Sequence, residues 1–303
     1  MALEFHRDNH YVPCVYLRRF AGTDGRIITY RTLVPHVEVP IWRDRSIEAV
    51  AYHSHLYTRI VAETETDEIE RWLDREFESP AEEPLRKATS DAQLKPQDWR
   101  CLVRFLAAQD VRTPARFIEN LPRWNADVPR LLDTTVRGVM QKLEAAKKSG
   151  EPVSPSKGEN SEYLPFRATA NIKPGENTGQ LKAEVVVGRG LWLFSIRHTL
   201  TKTLNVLHEH EWTILKPPDD LDWFTSDKPV VRLNYRTPGD YDFKGGWGNS
   251  GAEIMLPLGP RHLLYTQIGR RPPPRGEVVS QGLAKTIRRL IAENAYRNDL
   301  RQN

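Results

Sequence analysis

The sequence predicts an α+β protein, helix-rich with a small, mainly antiparallel sheet. Three observations carry that expectation. Apolar residues recur at helical spacing in several segments, short strand-like runs cluster between residues 212 and 266, and turn-forming residues separate the two kinds of segment.

The elements follow in order. Residues 10–31 read as an extended segment, a turn at Thr23-Asp24-Gly25 and a strand at Arg26-Ile27-Ile28-Thr29-Tyr30. Strand-like stretches continue to about Tyr57, where Pro35 and Pro40 exclude a helix. Thr66-Asp67-Glu68 opens a helix, its acidic first turn suiting the helix dipole, with Ile69, Trp72, Leu73 and Phe77 at helical spacing. A second helix opens near Pro96-Gln97-Asp98, and Thr113-Pro114 either ends or kinks it or starts the next. Further helix is expected over 128–148, 191–209 and 280–298. Strands are expected at 212–215, 222–225, 229–233, 252–256 and 262–266. There is no internal repeat and no heptad pattern.

Residues 149–180, rich in Ser, Gly, Pro, Asn and Glu, read as a long loop and the best boundary in the chain. The organisation expected is an N-terminal strand and helical region over 1–148, a linker over 149–180 and a helix, sheet and C-terminal helix over 181–303, unless all belong to one domain. A charged fraction of 28% and a net charge of +4 are too even to mark a nucleic-acid binder by total charge. The two cysteines, Cys14 and Cys101, form no Cys-x-x-Cys motif, which argues against a disulfide framework or a structural zinc. MALEFHRDNHYVP has no apolar core of a signal peptide, and no apolar run approaches the ~20 residues that span a bilayer. A cytoplasmic, soluble protein without a membrane partner is expected.

Function is sought where polar residues fall on apolar faces. With Leu102 at about 0°, a step of about 100° per residue puts Phe105 at about 300° and Leu106 at about 40°. Gln109 falls at about 340°, within that stripe, and Arg112 at about 280°, beside Phe105. A guanidinium turned inward must meet a carboxylate, carbonyls or a ligand anion. In the preceding helix, with Ile69 at about 0°, Glu70 lies at about 100°, on the edge of the apolar face, and Glu78 at about 180°, pointing away. Glu70 and Arg112 would pair across the helices, either in a site or as a salt bridge that only fixes packing.

Two further features join them. Asn9-His10-Tyr11-Val12-Pro13 offers an imidazole suited to proton transfer near neutral pH, or a tie for the N-terminus. Thr225-Ser226-Asp227-Lys228-Pro229 places a carboxylate at a strand end, as a site residue or in a turn that closes the strand. Weaker signals fail on spacing. His208-Glu209-His210 lacks the zincin interval, His53-x-His55 lacks a third ligand, and the glycines of 245–251 are not followed by the Lys-Ser/Thr of a P-loop. No Gly-x-Ser-x-Gly elbow occurs.

The same positions carry a resemblance. His10-Tyr11-Val12-Pro13 with Tyr16-Leu17-Arg18 and Phe20, Glu70 with Glu78, Gln109-x-x-Arg112-Thr113-Pro114, Ser226-Asp227-x-Pro229-Val230, Pro257-Leu258 and Glu293-Asn294-Ala295-Tyr296-Arg297 resemble, in order, the motifs of the bacterial family catalogued as domain of unknown function 4238. The likeness spans nearly the whole chain and departs at Cys14, where members often carry a polar residue. It implies a helical protein with a small sheet and supplies no reaction.

The leading expectation is a hydrolase, nuclease-like in type, acting on a phosphodiester or nucleotide. His10, Glu70 and Asp227 would be catalytic, and Tyr11, Gln109 and Arg112 would bind substrate. A divalent metal held by Glu70 or Asp227 is the cofactor considered, and nucleic acid or a nucleotide the partner. The alternative is a non-catalytic module in which Arg100, Arg104, Arg112, Arg116 and Arg123, with Trp99 and Trp124, contact a nucleic-acid backbone. In a third reading the polar set is a structural network.

Overall fold

In the computed structural model the described residues are 7–33, 38, 41–61, 64–150, 165–172, 179–237 and 239–301. The expectations for Pro35, Pro40 and much of the long loop lie outside them. In chain order the elements are β1 (Asp8–His10), α1 (Cys14–Leu17), β2 (Arg26–Arg31), β3 (Trp42–Ser46), β4 (Tyr52–Ser54), β5 (Arg59–Val61), β6 (Thr64–Thr66), α2 (Glu68–Leu73), α3 (Glu82–Thr89), α4 (Pro96–Val111), α5 (Pro114–Ser149), β7 (Phe166–Ile172), β8 (Gly179–Val185), α6 (Arg189–His198), α7 (Asn205–His208), β9 (Thr213–Leu215), β10 (Thr225–Ser226), β11 (Val231–Thr237), β12 (Asp240–Asp242), β13 (Glu253–Gly259), β14 (His262–Gln267), α8 (Gln281–Asn294) and β15 (Asn298–Arg301). The protein is α+β, and the named strands pair antiparallel throughout.

Two compact units form, one from Met1–Ala115 with Thr199–Asn303 and one from Arg116–His198. The first holds a five-stranded sheet in the order β12-β11-β13-β14-β9 and a four-stranded sheet in the order β10-β15-β2-β3. In the first of these sheets β13, with the apolar run Ile254 to Leu258, is buried on both faces. Leu215, Trp223, Val231, Leu233, Met255 and Leu263 pack with Ala284, Ile287, Leu290 and Ile291 of α8 in one core cluster. Each buried Leu or Ile side chain there contributes about 1.5–3 kcal/mol. α8 starts at Ser280, whose hydroxyl accepts from the Leu283 amide at 3.3 Å.

The motif segments are stitched to one another. Tyr16 Oη donates to the Pro257 carbonyl at 2.6 Å and lies 2.8 Å from Thr225 Oγ1. Asn294 Nδ2 donates to the carbonyls of Lys228 and Val230 at 2.8 and 3.0 Å. The second unit comprises most of α5, the β7–β8 hairpin and α6, with Phe117 packed against Trp124 and Trp192 at ring-centroid distances of 6.3 and 5.4 Å.

Four local expectations are corrected. The long loop of 149–180 contains β7, because Arg167, Thr169 and Asn171 alternate with Ala168, Ala170 and Ile172 and pair along β8. The helix expected over 191–209 is α6, a π turn at Thr199–Thr203 and α7. The helix expected from residue 128 begins at Pro114, which occupies its first position. The closing helix stops at Asn294, and β15 follows.

Candidate functional site

The first group of site residues is built around the end of α4. Arg112 is the C-cap of this helix and is fully buried, as the apolar stripe requires. Its Nε donates to Tyr57 Oη at 3.2 Å, its Nη1 to Glu78 Oε1, and its Nη2 to the His10 carbonyl at 2.7 Å. Glu70 Oε2 stands 3.5 Å from Nη2, too long for a strong hydrogen bond. Tyr57 Oη in turn donates to the Arg112 carbonyl at 2.6 Å, so the phenol both accepts from and donates to this residue. Every nitrogen of the guanidinium has a protein partner.

The pairing with Glu78 corrects the helical wheel, which turned that residue away. Asp74–Glu78 forms a π turn. Each residue of a π turn advances roughly 80° rather than roughly 100°, so five residues lag by about 100°. Glu78 is thereby brought to the side that Glu70 occupies. Burial raises the Glu70 carboxyl to about 7, with Arg112 opposing and Glu78 adding to the rise. One turn before Arg112, Gln109 is fully buried, and neither its Oε1 nor its Nε2 has a hydrogen-bond partner among the described residues.

The His10-Tyr11 segment lies between this cluster and a second group. Asn9, also fully buried, accepts from the Tyr57 amide at 3.1 Å. His10 Nε2 lies 3.2 Å from the Glu48 carbonyl, an acceptor, which fixes the proton of the neutral ring on Nε2 and leaves Nδ1 as the base. Burial, above the other influences, holds the His10 imidazolium below its ordinary value of 6.5. The ring packs against Tyr52 at a centroid distance of 5.8 Å.

Tyr52 and Tyr11 both line a pocket of about 440 Å³, with Thr29, Arg31, Leu33, Arg45, Ala49, Val50, Ala51 and Arg297. Sheet register assembles its cations. Arg45 stands opposite Ile27, and Asn298, next to Arg297, stands opposite Arg31. Thr29 and Arg31 share a face of β2 by the two-residue repeat, and Arg45 belongs to the same face of the sheet. None of the three arginines is paired with a carboxylate among the described residues, and the lining has no Asp or Glu. Asp227 acts just behind it. Its Oδ1 accepts from the Tyr296 amide at 2.9 Å and its Oδ2 from the Arg297 amide at 2.8 Å. These bonds draw the chain out of α8 at this point and explain the early helix end. Burial, with Asp227 nearby, pushes the Tyr11 phenol well above its ordinary value, so it stays protonated.

The structure therefore brings His10, Glu70 and Arg112 together with Glu78 and Tyr57, and sets Gln109 one helical turn away. Tyr11 lines the pocket, and Asp227 holds the amides of Tyr296 and Arg297, the second of which also lines it. Arg31, Arg45, Tyr52 and Glu48 were not singled out by sequence, and Arg297 entered only as the end of the closing motif, since charged residues on half-exposed strands are commonplace. Only the pairing of β15, β2 and β3 gathers the three arginines.

The remaining motifs find structural partners. Arg112, Arg116 and Trp124 are buried, so they cannot present a basic and aromatic surface with the others of that group. His210 Nε2 lies 2.6 Å from the Trp247 carbonyl, and His53 Nδ1 2.8 Å from the Ser54 carbonyl. Burial raises the Cys14 thiol to about 11, which keeps it un-ionised. Among the described residues no group of three or more His, Cys, Asp or Glu side chains is placed to hold a metal ion. Among them too, no helix is long and apolar enough to cross a membrane.

Comparison with known proteins bears on the motifs that form these two groups. No curated protein and no solved structure matches the chain. One family model matches residues 8–299, from the strand that carries His10 to the strand that follows Arg297. The chain belongs to the family described as protein of unknown function DUF4238.

Proposed function

We propose that the protein is a hydrolase of a phosphodiester or nucleotide substrate, with the phosphate seated among Arg31, Arg45 and Arg297 and His10 accepting the proton of the attacking water. The observation that carries this reading is the pocket itself, three guanidiniums without a carboxylate partner among the described residues around about 440 Å³, with Tyr52 shared between its wall and the His10 ring. Guanidiniums match phosphate oxygens in geometry and charge, and a volume of this size lies within the roughly 300–1,000 Å³ of small-molecule sites. Tyr11, kept protonated, supplies a further donor.

In this reading water gives a proton to His10 Nδ1 while its oxygen bonds to phosphorus. The bond from phosphorus to the leaving oxygen breaks, and that oxygen takes a proton from solvent. Arg112 and Asp227 act as positioning residues, the first through the His10 carbonyl and the second through the amides of Tyr296 and Arg297.

The test is product analysis after incubation with nucleotides and with short RNA and DNA. Turnover is expected in the wild type and its loss by about 100-fold or more in His10→Ala, with binding retained. A protein that binds these compounds and turns over none of them is a binding module instead. One observation favours that second reading. Each guanidinium nitrogen of Arg112 meets a protein partner, so this part of the polar set serves as scaffold whether or not catalysis occurs.

A further inference from the structure

The pocket that seats the phosphate in the proposed function also holds information about what carries that phosphate. A strand of nucleic acid presents one negative charge per phosphate, spaced along its length, and proteins meet it with a groove of cations that tracks the backbone. Here the cations are gathered rather than strung out. Arg31 comes from β2, Arg45 from β3 and Arg297 from the turn before β15, and all three face one cavity.

Charge matching then selects the ligand. A single phosphodiester would leave about two of three guanidinium charges unanswered, whereas a terminal phosphate carries about −1.5 to −2 and a second linked phosphate adds to it. The pocket is also not uniformly basic. Tyr52, Tyr11 and Leu33 form an apolar and aromatic part of the lining, beside Ala49, Val50 and Ala51. Aromatic faces of this kind take a nucleobase by stacking, at about 1–3 kcal/mol per base, without needing a particular base. Thr29 offers a phosphate no donor, since its hydroxyl donates to the Arg43 carbonyl at 3.0 Å.

We infer that the pocket binds a free nucleotide bearing two or more linked phosphates, the phosphates on Arg31, Arg45 and Arg297 and the base against Tyr52, in preference to a nucleic-acid strand. This rests on the reading of the pocket as a phosphate site and does not depend on whether His10 performs hydrolysis.

The test is calorimetric titration of the full chain with α,β-methylene-ADP, which cannot be cleaved between its phosphates. Inorganic pyrophosphate, adenosine and a six-nucleotide RNA without terminal phosphates are titrated beside it. The methylene diphosphate is expected to bind at least about tenfold more tightly than any of the other three. Arg45→Gln and Arg297→Gln are each expected to weaken it by about tenfold or more. Arg297 is exposed, so its replacement leaves the fold intact even if that of Arg45 does not.

Tighter binding of the RNA overturns the inference and leaves a phosphodiester hydrolase standing. Equal binding of pyrophosphate overturns it too, leaving an anion site without nucleoside selectivity. If no phosphate compound binds, the pocket is no phosphate site and the inference fails. Turnover dependent on His10 would then still support hydrolysis at another surface.

Discussion

Arg112 donates from Nη2 to the carbonyl oxygen of His10 at 2.7 Å, so a buried charge on α4 holds the backbone of the residue whose ring is the proposed base. Arg112 also donates to Glu78 and Tyr57, with Glu70 at 3.5 Å. Removing the guanidinium strands two carboxylates in a largely buried space. Arg112→Ala is expected to cost about 3–5 kcal/mol, as breaking a buried pair on one side does. At roughly 2–4 °C per kcal/mol for a unit of this size, melting should fall by roughly 6–20 °C. A melting curve within a few degrees of wild type would show the cluster to be less coupled than its geometry.

Glu70 sets a pH dependence. Its folded carboxyl is raised to about 7, above the ordinary value near 4.3, so the fold binds this proton more tightly than the unfolded chain does. The stabilising contribution is fully present below about pH 4.3 and is lost as pH rises through about 7. Glu70→Gln should therefore melt like wild type near pH 4 and be more stable at pH 8, by on the order of 3 kcal/mol. Melting curves of both proteins over pH 4–8.5 decide it, and parallel profiles would refute the assignment.

His10 carries the opposite sign. Its imidazolium is held below 6.5, so the ring is neutral and ready to accept a proton at neutral pH. Turnover should be level above pH 6.5 and decline only below it, on a limb missing from the residual rate of His10→Ala. An acid limb centred above 6.5 would assign the base to another group.

Asp227 works through the amides of Tyr296 and Arg297. Asp227→Asn should lose about 1–3 kcal/mol of stability. It should also weaken pyrophosphate binding several-fold, because Arg297 is no longer held at the pocket. Glu70→Gln, remote from these amides, should leave that affinity unchanged. Unaltered pyrophosphate affinity in Asp227→Asn would confine Asp227 to closing the turn.

Gln109 has both side-chain polar atoms buried without partners among the described residues, which costs about 1–3 kcal/mol against a well-paired amide. Gln109→Met, of similar length, is expected to raise stability by on the order of 1 kcal/mol, measured by urea denaturation. A loss instead would show that the amide is satisfied in solution, as by an ordered water.

How much of this could be read from the chain depends on the range of the interaction. The inward turn of Gln109 and Arg112 follows from the spacing of Leu102, Phe105 and Leu106 alone, because a regular helix preserves phase. Glu78 was misplaced for the same reason, since a π turn breaks that phase and leaves no mark in composition. Asp227 was noticed as a carboxylate at a strand end, yet its partners are backbone amides seventy residues later, which no local pattern predicts. The pocket was invisible. Arg31, Arg45 and Arg297 become neighbours only through the register of β15, β2 and β3.

The π turn at Asp74–Glu78 also bears on how this protein can vary in length. Removing one residue from it would let the segment relax into ordinary helix, in which a glutamate seven positions after Glu70 falls within about 20° of it. That glutamate would still face Arg112, with every other side chain of the cluster unchanged. Relatives that retain both glutamates should therefore hold them either eight positions apart with the π turn or seven apart in regular helix.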